Sequence, residues 1–370
     1  MRSKQSMTSP PDHLTAIPDP RAETIAATRR CRDSRGFTLL EVTIAATLVL
    51  LLAWLVATLS IDGMRAQKFA ERQSRSSEIT QDILDEMQRG LGSSVGLFGG
   101  GPIGEGYRAA LIDGTLPPAI PSSRIPTVTP GGRLERETGP GVRTGNELFF
   151  TRYAWTDEFQ TSTGVTHRVD IYRIERYYLT AVNGGPRRGS PDGLNLAHWV
   201  SEPLADGNQI DRITNGVERT EMLLHLLQRT PDTAGVVHDQ VSLVWAGYLP
   251  IQDLGTLREI DAGGALLTSP SPARGGTEWR IRPELRLCDA DMLVYRHHSV
   301  ATNFAQNGTG VGRFSVPTAV NLGFPHGFEV QIIGPPSARQ ILLHLTVVST
   351  NRNGQRAYAD LQTIVDSRDP

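Results

Sequence analysis

Thiols are scarce in this chain: 370 residues hold two cysteines, Cys31 and Cys288. One disulfide is the most they can form, and loss of the N-terminal segment carrying Cys31 leaves Cys288 alone. The same scarcity excludes a thiolate zinc site, since no Cys/His spacing completes a four-ligand set. Cys288 reads as a buried structural thiol. An excess of charge of one sign is missing too. Lys+Arg number 37 against 39 Asp+Glu, a formal net charge of −2, so there is no electrostatic footprint for nucleic acid. Catalytic signatures are also lacking. No Gly-x-Ser-x-Gly elbow and no His-Glu-x-x-His helix occurs. Gly99-Gly100-Gly101 and Gly104-x-Gly106 are not followed by Lys-Ser/Thr, so they read as flexible loop and not as a phosphate cradle. Neither an enzyme nor a cofactor is expected.

What the chain does contain begins at its N-terminus. Residues 1–36 carry seven Arg/Lys against four acids, leaving 30 bases and 35 acids in the remainder. From Phe37 to Ile61 run 25 residues with one charged side chain, Glu41. At about 1.5 Å per residue, such a helix spans a hydrocarbon core of roughly 30 Å. The arginine-rich flank before it stays cytoplasmic, which carries the C-terminal bulk across the membrane. An ordinary secretory signal has a shorter apolar core and a small-residue cleavage site, and Ala57-Thr58-Leu59-Ser60 is a poor one.

Glu41 decides between readings of this run. A carboxylate placed centrally in a membrane helix costs about 2.5–3.5 kcal/mol on insertion scales, so it needs a partner. Arg35 can serve in the intact chain. A cut between Gly36 and Phe37 creates another candidate, a positive α-amino group, and makes Glu41 the fifth residue of the shortened chain. When such helices pack with an axial offset, the terminal ammonium of one meets Glu41 of its neighbour. Glycine before the cut lets a protease approach the backbone closely.

The stretch Arg35-Gly36-Phe37-Thr38-Leu39-Leu40-Glu41-Val42 resembles the N-terminal cleavage and methylation signal of type IV prepilins and type II secretion pseudopilins. The resemblance covers about the first 30 residues after the cut. It implies that a prepilin peptidase cuts after Gly36 and methylates Phe37, and that Glu41 is the assembly carboxylate. The implied protein is a non-catalytic minor pilin or pseudopilin of the bacterial inner membrane, with its C-terminal domain periplasmic or extracytoplasmic. Its implied partners are the peptidase, other pilins, an inner-membrane assembly platform and the lipid bilayer, with protein transport through a filament as its task. A soluble part of this size fits a minor, tip-associated subunit. The alternative is a plain signal anchor tethering a periplasmic binding domain or enzyme, with the leader uncleaved.

Beyond the span, Asp62-Gly63 interrupts the apolar run, and residues 62–91 continue as an amphipathic helix. Ile79, Ile83, Leu84, Met87 and Leu91 recur at spacings of three and four. Gly90 and Gly92 are stop signals. Residues 92–145 read as a Gly/Pro-rich loop region, and 146–370 as a β-rich head. Strands are expected over Glu147–Tyr153, Val169–Leu179, Gln240–Tyr248, Glu284–Tyr295, Phe328–Ile333, Ile341–Thr350 and Tyr358–Val365, with a hairpin at Asn353-Gly354. Val217–Arg229 reads as a second short helix, with a strand not excluded. The fold class is therefore α+β: a long N-terminal helix, membrane-spanning in its first half, packed on an antiparallel sheet. Asp289 and Asp291 are too few to hold a metal ion. His297-His298 reads as a turn, and His225 and His344 as packed side chains. Tyr177 and Tyr178 fit either core or interface, and Asn307-Gly-Thr309 reads as a chance glycosylation acceptor.

Overall fold

The structure, a computed structural model, describes residues 38–111, 116–134, 144–180, 194–247, 257–267, 275–281, 286–288, 293–295, 298–301, 327–350 and 356–367. Two compact units divide the chain, Met1–Asp62 and Gly63–Pro370. The first described element, α1, covers Leu39–Gly92. Within the second unit its buried residues are Ser76, Thr80, Ile83, Leu84, Met87 and Leu91, one stripe at spacings of three and four. Ser93 donates from its amide to the Gly90 carbonyl at 3.2 Å and closes the helix. Gly90 has a packing reason as well. A Cβ there would lie 3.0 Å from the Phe150 ring.

Residues 92–145 are not loop throughout. They hold a strand, β1 (Ser94–Leu97), and a helix, α2 (Pro102–Leu111), which opens on a proline at its first position. The glycine run before α2 is a tight crossing, not a slack loop. The Gly100 amide donates to the Pro126 carbonyl at 2.7 Å, and a Cβ on Gly100 would sit 2.7 Å from the Ile125 carbonyl.

Two long strands follow, β2 (Glu147–Gln160) and β3 (Thr166–Thr180). They pair along their whole length, with a register shift at Ala154 between Tyr153 and Trp155. That bulge falls where the sequence suggests the strand should stop, and pairing resumes beyond it. β4 (Asn195–Ser201) and β5 (Leu204–Asp206) both pair with β3, separated by Glu202-Pro203. Next come α3 (Gly207–Asp211), α4 (Gly216–Gln228) and β6 (Leu243–Trp245). β6 runs parallel to β5, so the sheet is mixed and not antiparallel as the sequence suggests. The physical reason is the crossover: the chain between β5 and β6 includes two helices, long enough to return it to the same end.

β7 (Leu257–Ile260), β8 (Leu266–Leu267) and β9 (Gly275–Ile281) complete a nine-stranded sheet ordered β1-β2-β3-β5-β6-β7-β8, with β4 joining β3 to β9. The expected strand Glu284–Tyr295 is instead a pair of short antiparallel strands, β10 (Arg286–Cys288) and β11 (Leu293–Tyr295). A second, four-stranded sheet is built from β12 (His298–Val300), β13 (Phe328–Ile333), β14 (Arg339–Thr350) and β15 (Arg356–Ser367). β14 and β15 pair antiparallel over twelve positions; the Asn353-Gly354 turn between them lies outside the described residues.

Strand alternation sorts neighbouring residues into different cores. Leu148 and Phe150 of β2 and Tyr177 of β3 join α1 and the four-stranded sheet, against Val330, Leu343, Leu345 and Val365. Phe149 and Tyr178, one residue out of phase, face a second core with Phe98, Tyr107, Trp199 and Trp245. A third core holds α3 and α4 on the sheet through Ile210, Met222 and Leu226. Tyr177 and Tyr178 are thus both core residues. Met87 is fully buried where α1 meets the sheets, and truncating a buried Met costs about 2–5 kcal/mol. In urea denaturation of the full chain in detergent, Met87→Ala should lower the unfolding free energy by that amount, while Gln88→Ala, on the exposed face, should stay within about 0.5 kcal/mol of the parent.

Candidate functional site

Gly36 and Phe37, the expected processing residues, lie outside the described residues. Glu41 is described, and it is exposed in the first turn of α1. Its carboxylate is not without a partner in its own chain. The Thr38 amide donates to Glu41 Oε2 at 2.9 Å and the Thr38 hydroxyl donates to the same oxygen at 3.0 Å. In return the Glu41 amide donates to Thr38 Oγ1 at 3.3 Å. This is a capping box, Thr-x-x-Glu, which satisfies helix-end amides and sets an acid at the positive end of the helix dipole. Its signature, Thr38-Leu39-Leu40-Glu41, stands in the sequence and was available there. Both bonds use Oε2, and among the described residues Oε1 accepts none.

After Glu41 the helix is greasy all round, with Leu48, Leu51, Trp54 and Leu55 among its exposed side chains. It is long and apolar enough to cross a membrane. Its few hydroxyls fold back on their own backbone. Thr43 donates to Leu39 O at 2.6 Å, Thr47 to Ile44 O at 2.8 Å and Thr58 to Trp54 O at 2.9 Å. Each removes a polar group that lipid would leave unsatisfied.

Further along α1, Glu86 ties the helix to the nine-stranded sheet. Arg280 of β9 forms an ion pair with Glu86 and also donates to His198 Nδ1 at 2.8 Å. His198 Nε2 lies 3.1 Å from Glu175, which also pairs with Arg152. The His198 ring stacks on Tyr177 at 4.0 Å, and the Tyr177 hydroxyl donates to Glu86 at 3.3 Å. Burial alone would raise the Glu175 pKa, but the hydrogen bonds from His198 and Arg152, with the positive charge of Arg152, hold it below the usual carboxylate range. Burial, together with Glu86 and Glu175, pushes the Tyr177 phenol upward, so it stays protonated. On the other face of β2, the fully buried Glu147 sits between two guanidiniums: Arg176 at 2.7 Å and 2.8 Å, and Arg108 of α2 at 3.0 Å. Ser123 donates to it as well.

Two histidines that read as simple packed side chains carry ionic partners. His225 on α4 lies 2.9 Å from Asp157 through Nε2 and bonds Thr230 through Nδ1. An Asp–His–Thr series has the order of a proton relay, but its imidazole is 3% exposed and covered by Phe159 at 4.5 Å. It offers no open face to a substrate. His344 on β14 stands between Glu329 of β13, at 2.7 Å, and Asp360 of β15. Asp360 is held in turn by the Thr346 hydroxyl at 2.8 Å. Among the described residues no group of three or more His, Cys, Asp or Glu side chains is placed to hold a metal ion. Cys288 lies on β10, and Asp289, Asp291, His297 and Asn307 lie outside the described residues. His298 is in a strand, not a turn, and is buried.

A cavity of about 750 Å³ opens beside the β4–β5 turn and the end of α4. Its polar lining includes Glu202, Glu259, Arg173 and Arg229, with Leu227 and Leu243 as apolar wall. No local pattern announces it, because these residues come from five separate segments. Comparison of the chain with protein-family models, curated proteins and solved structures gives no match.

Burial alone would lower the His344 pKa, but the bonds and negative charges of Asp360 and Glu329 prevail and raise it to about 9. An unfolded histidine titrates near its model value of 6.5. The stabilisation is therefore fully present below about pH 6.5 and is lost as pH rises through about 9. Chemical denaturation from pH 6 to 10 should show the full chain losing stability across that window. His344→Gln should be less stable at pH 6 and lack this slope.

Proposed function

We propose that this chain is a large minor subunit of a pilin-like filament, of the type II secretion or type IV pilus kind. In this reading it is cut between Gly36 and Phe37 and assembled through α1. The observation that carries the proposal is the sequence Gly36-Phe37-Thr38-Leu39-Leu40-Glu41 set directly against a membrane-length apolar helix. Prepilin peptidase would act on the cytoplasmic side and methylate Phe37. The helix would wait in the inner membrane and then move into a bundle of like helices, trading lipid contact for apolar packing. The free Oε1 edge of Glu41 is where a neighbour's terminal ammonium would approach without disturbing the bonds from Thr38. That pairing would neutralise both charges in an apolar bundle and fix axial register. The subunit would turn over no substrate.

A second reading has its own support. The capping box gives Glu41 a structural task that needs no neighbour, and the 750 Å³ cavity is of ligand size. An uncleaved anchor carrying a binding domain would show both features.

Two measurements separate the readings. Mass spectrometry of the chain from prepilin-peptidase-positive and -negative cells should find a methylated N-terminus at Phe37 only in the former; an intact leader in both would overturn the filament reading. Glutamine can replace glutamate in a capping box but carries no charge. Glu41→Gln and Glu41→Ala should therefore both insert in the membrane, and both should enter filaments at least tenfold less than the parent. Normal incorporation of Glu41→Gln would show that the carboxylate acts only as a cap.

A further inference from the structure

The nine-stranded sheet forks at Glu202-Pro203. β4 and β5 follow one another along β3, and each has its own partner on the far side, β9 on β4 and β6 on β5. Gly275 opens β9 opposite Ser201 and Leu243 opens β6 opposite Leu204, and from there the two strands run in opposite directions. Neither strand pairs with Glu202, and Pro203 has no amide to offer. The cavity of about 750 Å³ opens at this fork and is of a size to take a small molecule. Six charged side chains line it, and three of them are spoken for: Arg173 pairs with Asp239 at 2.6 Å, and Glu278 lies 2.9 Å from Arg280. Among the described residues the other three, Glu202, Glu259 and Arg229, form no ion pair. The Glu202 carboxylate has only a long bond, 3.5 Å from the Ser242 hydroxyl. Glu202 and Glu259 are both half-buried, and a carboxylate that has lost part of its water gains from a bound cation. Arg229 closes α4 in the left-handed backbone region, at φ 54° and ψ 38°. Glycine is the usual and less strained residue at such a helix end, and among the described residues no other non-glycine has a positive φ. Strain kept at a cavity wall points to a side chain retained for what it contacts.

We propose that the cavity at the fork binds a basic α-amino acid. Two acids and one guanidinium without protein partners call for a ligand with two positive groups and one negative. An α-ammonium, a cationic side chain and an α-carboxylate supply that set. Arg229 takes the α-carboxylate, which its planar guanidinium fits with two parallel hydrogen bonds. Glu202 and Glu259 take the two cations, and Leu227 and Leu243 cover the aliphatic part of the ligand. The Arg173–Asp239 pair stays as it is. Other occupants match the lining less well. A phosphate or simple anion would face both free carboxylates, and no group of three His, Cys, Asp or Glu side chains among the described residues is placed for a metal ion. The site belongs to the head and holds whether or not the leader is removed, so ligand binding and Phe37 processing can fail separately.

Isothermal titration calorimetry of the full chain in non-ionic detergent tests this. L-Arginine and L-lysine should each bind at a single saturable site. Agmatine, which is arginine without its carboxylate, and L-citrulline, whose side chain is uncharged, should bind about tenfold more weakly or worse. Glu202→Gln and Glu259→Gln should each weaken L-arginine about tenfold. Neither should lower the unfolding temperature of the ligand-free chain, since each carboxylate has no ion pair to lose. Arg229→Gly relieves the backbone, so it should unfold at or above the parent's temperature and yet bind L-arginine no better than agmatine. A merely structural arginine would show the reverse, with stability lost and the preference for arginine over agmatine kept. No saturable heat with L-arginine or L-lysine, L-citrulline bound as tightly as L-arginine, or parent-like affinity in the double variant E202Q/E259Q would each overturn the proposal.

Discussion

The structure of the second unit depends on one docking event, the burial of a single stripe of α1 between the two sheets. Ile83, Leu84, Met87 and Leu91 share one buried core with residues of β2, β3, β4, β9 and all four strands of the smaller sheet. Hydrophobic burial is non-directional, so apolar contact alone would let the helix slide or rotate. Glu86 removes that freedom. It faces Arg280 and Tyr177, and through Arg280 it reaches the His198–Glu175–Arg152 chain. Moving the helix by one turn would separate Glu86 from Arg280 and from the Tyr177 hydroxyl, leaving the partly buried guanidinium with the exposed Glu278 as its remaining counter-charge. Grease supplies the attraction here, and the charged chain supplies the address.

This arrangement explains why the sequence was readable at some levels and not at others. The long helix was legible because its two halves have different and strong periodicities: apolar all round to Ile61, then a stripe at three and four. β13, β14 and β15 were legible for the same reason, being runs of β-branched and apolar residues with a turn signal between the last two. β4, β5, β7 and β9 were missed because their signal is tertiary. Gly275-Gly-Thr-Glu-Trp-Arg-Ile281 starts on two glycines and contains two charges, and it becomes a strand by pairing with β4. The register there presses Gly275 against the Trp199 ring, where a Cβ would overlap. No local pattern announces that. The parallel β5–β6 pair was hidden likewise, since each strand has only three residues and the determining feature is the helical crossover between them.

At the candidate site the balance was different. The run from Gly36 to Glu41 resembles a processing signal, and the same letters carry a local consequence as well. Thr38 and Glu41 cap the helix, whatever else the carboxylate does. The two roles are compatible because the cap uses one carboxylate oxygen. The histidines show the converse. His225 and His344 read as ordinary core side chains because each sits alone in an apolar run. Their acidic partners, Asp157, Glu329 and Asp360, come from other strands, so only the fold could reveal the carboxylates beside the imidazoles.

The buried charges of the head act on pairing register more than on net stability. Removing an ion pair and filling its space with apolar atoms is often neutral or stabilising, so Glu147 with Arg176 and Arg108 is weak support for the fold's stability. What the pair does is penalise error. In the observed register Glu147 is opposite Tyr178 and Phe149 is opposite Arg176, placing Glu147 and Arg176 diagonally on the same face. A slip of one residue between β2 and β3 would bring Tyr177 to the position of Arg176, exchange the two tyrosines between cores and strand an ionised carboxylate in the interior. The strands are long, carry buried apolar residues on both faces and are already bulged at Ala154, so hydrophobic pattern alone leaves such slips close in energy. A carboxylate with only one arrangement of guanidiniums around it separates them. The same reasoning covers His344, whose two acidic partners lie on the strands either side of β14 and pin both pairings at once.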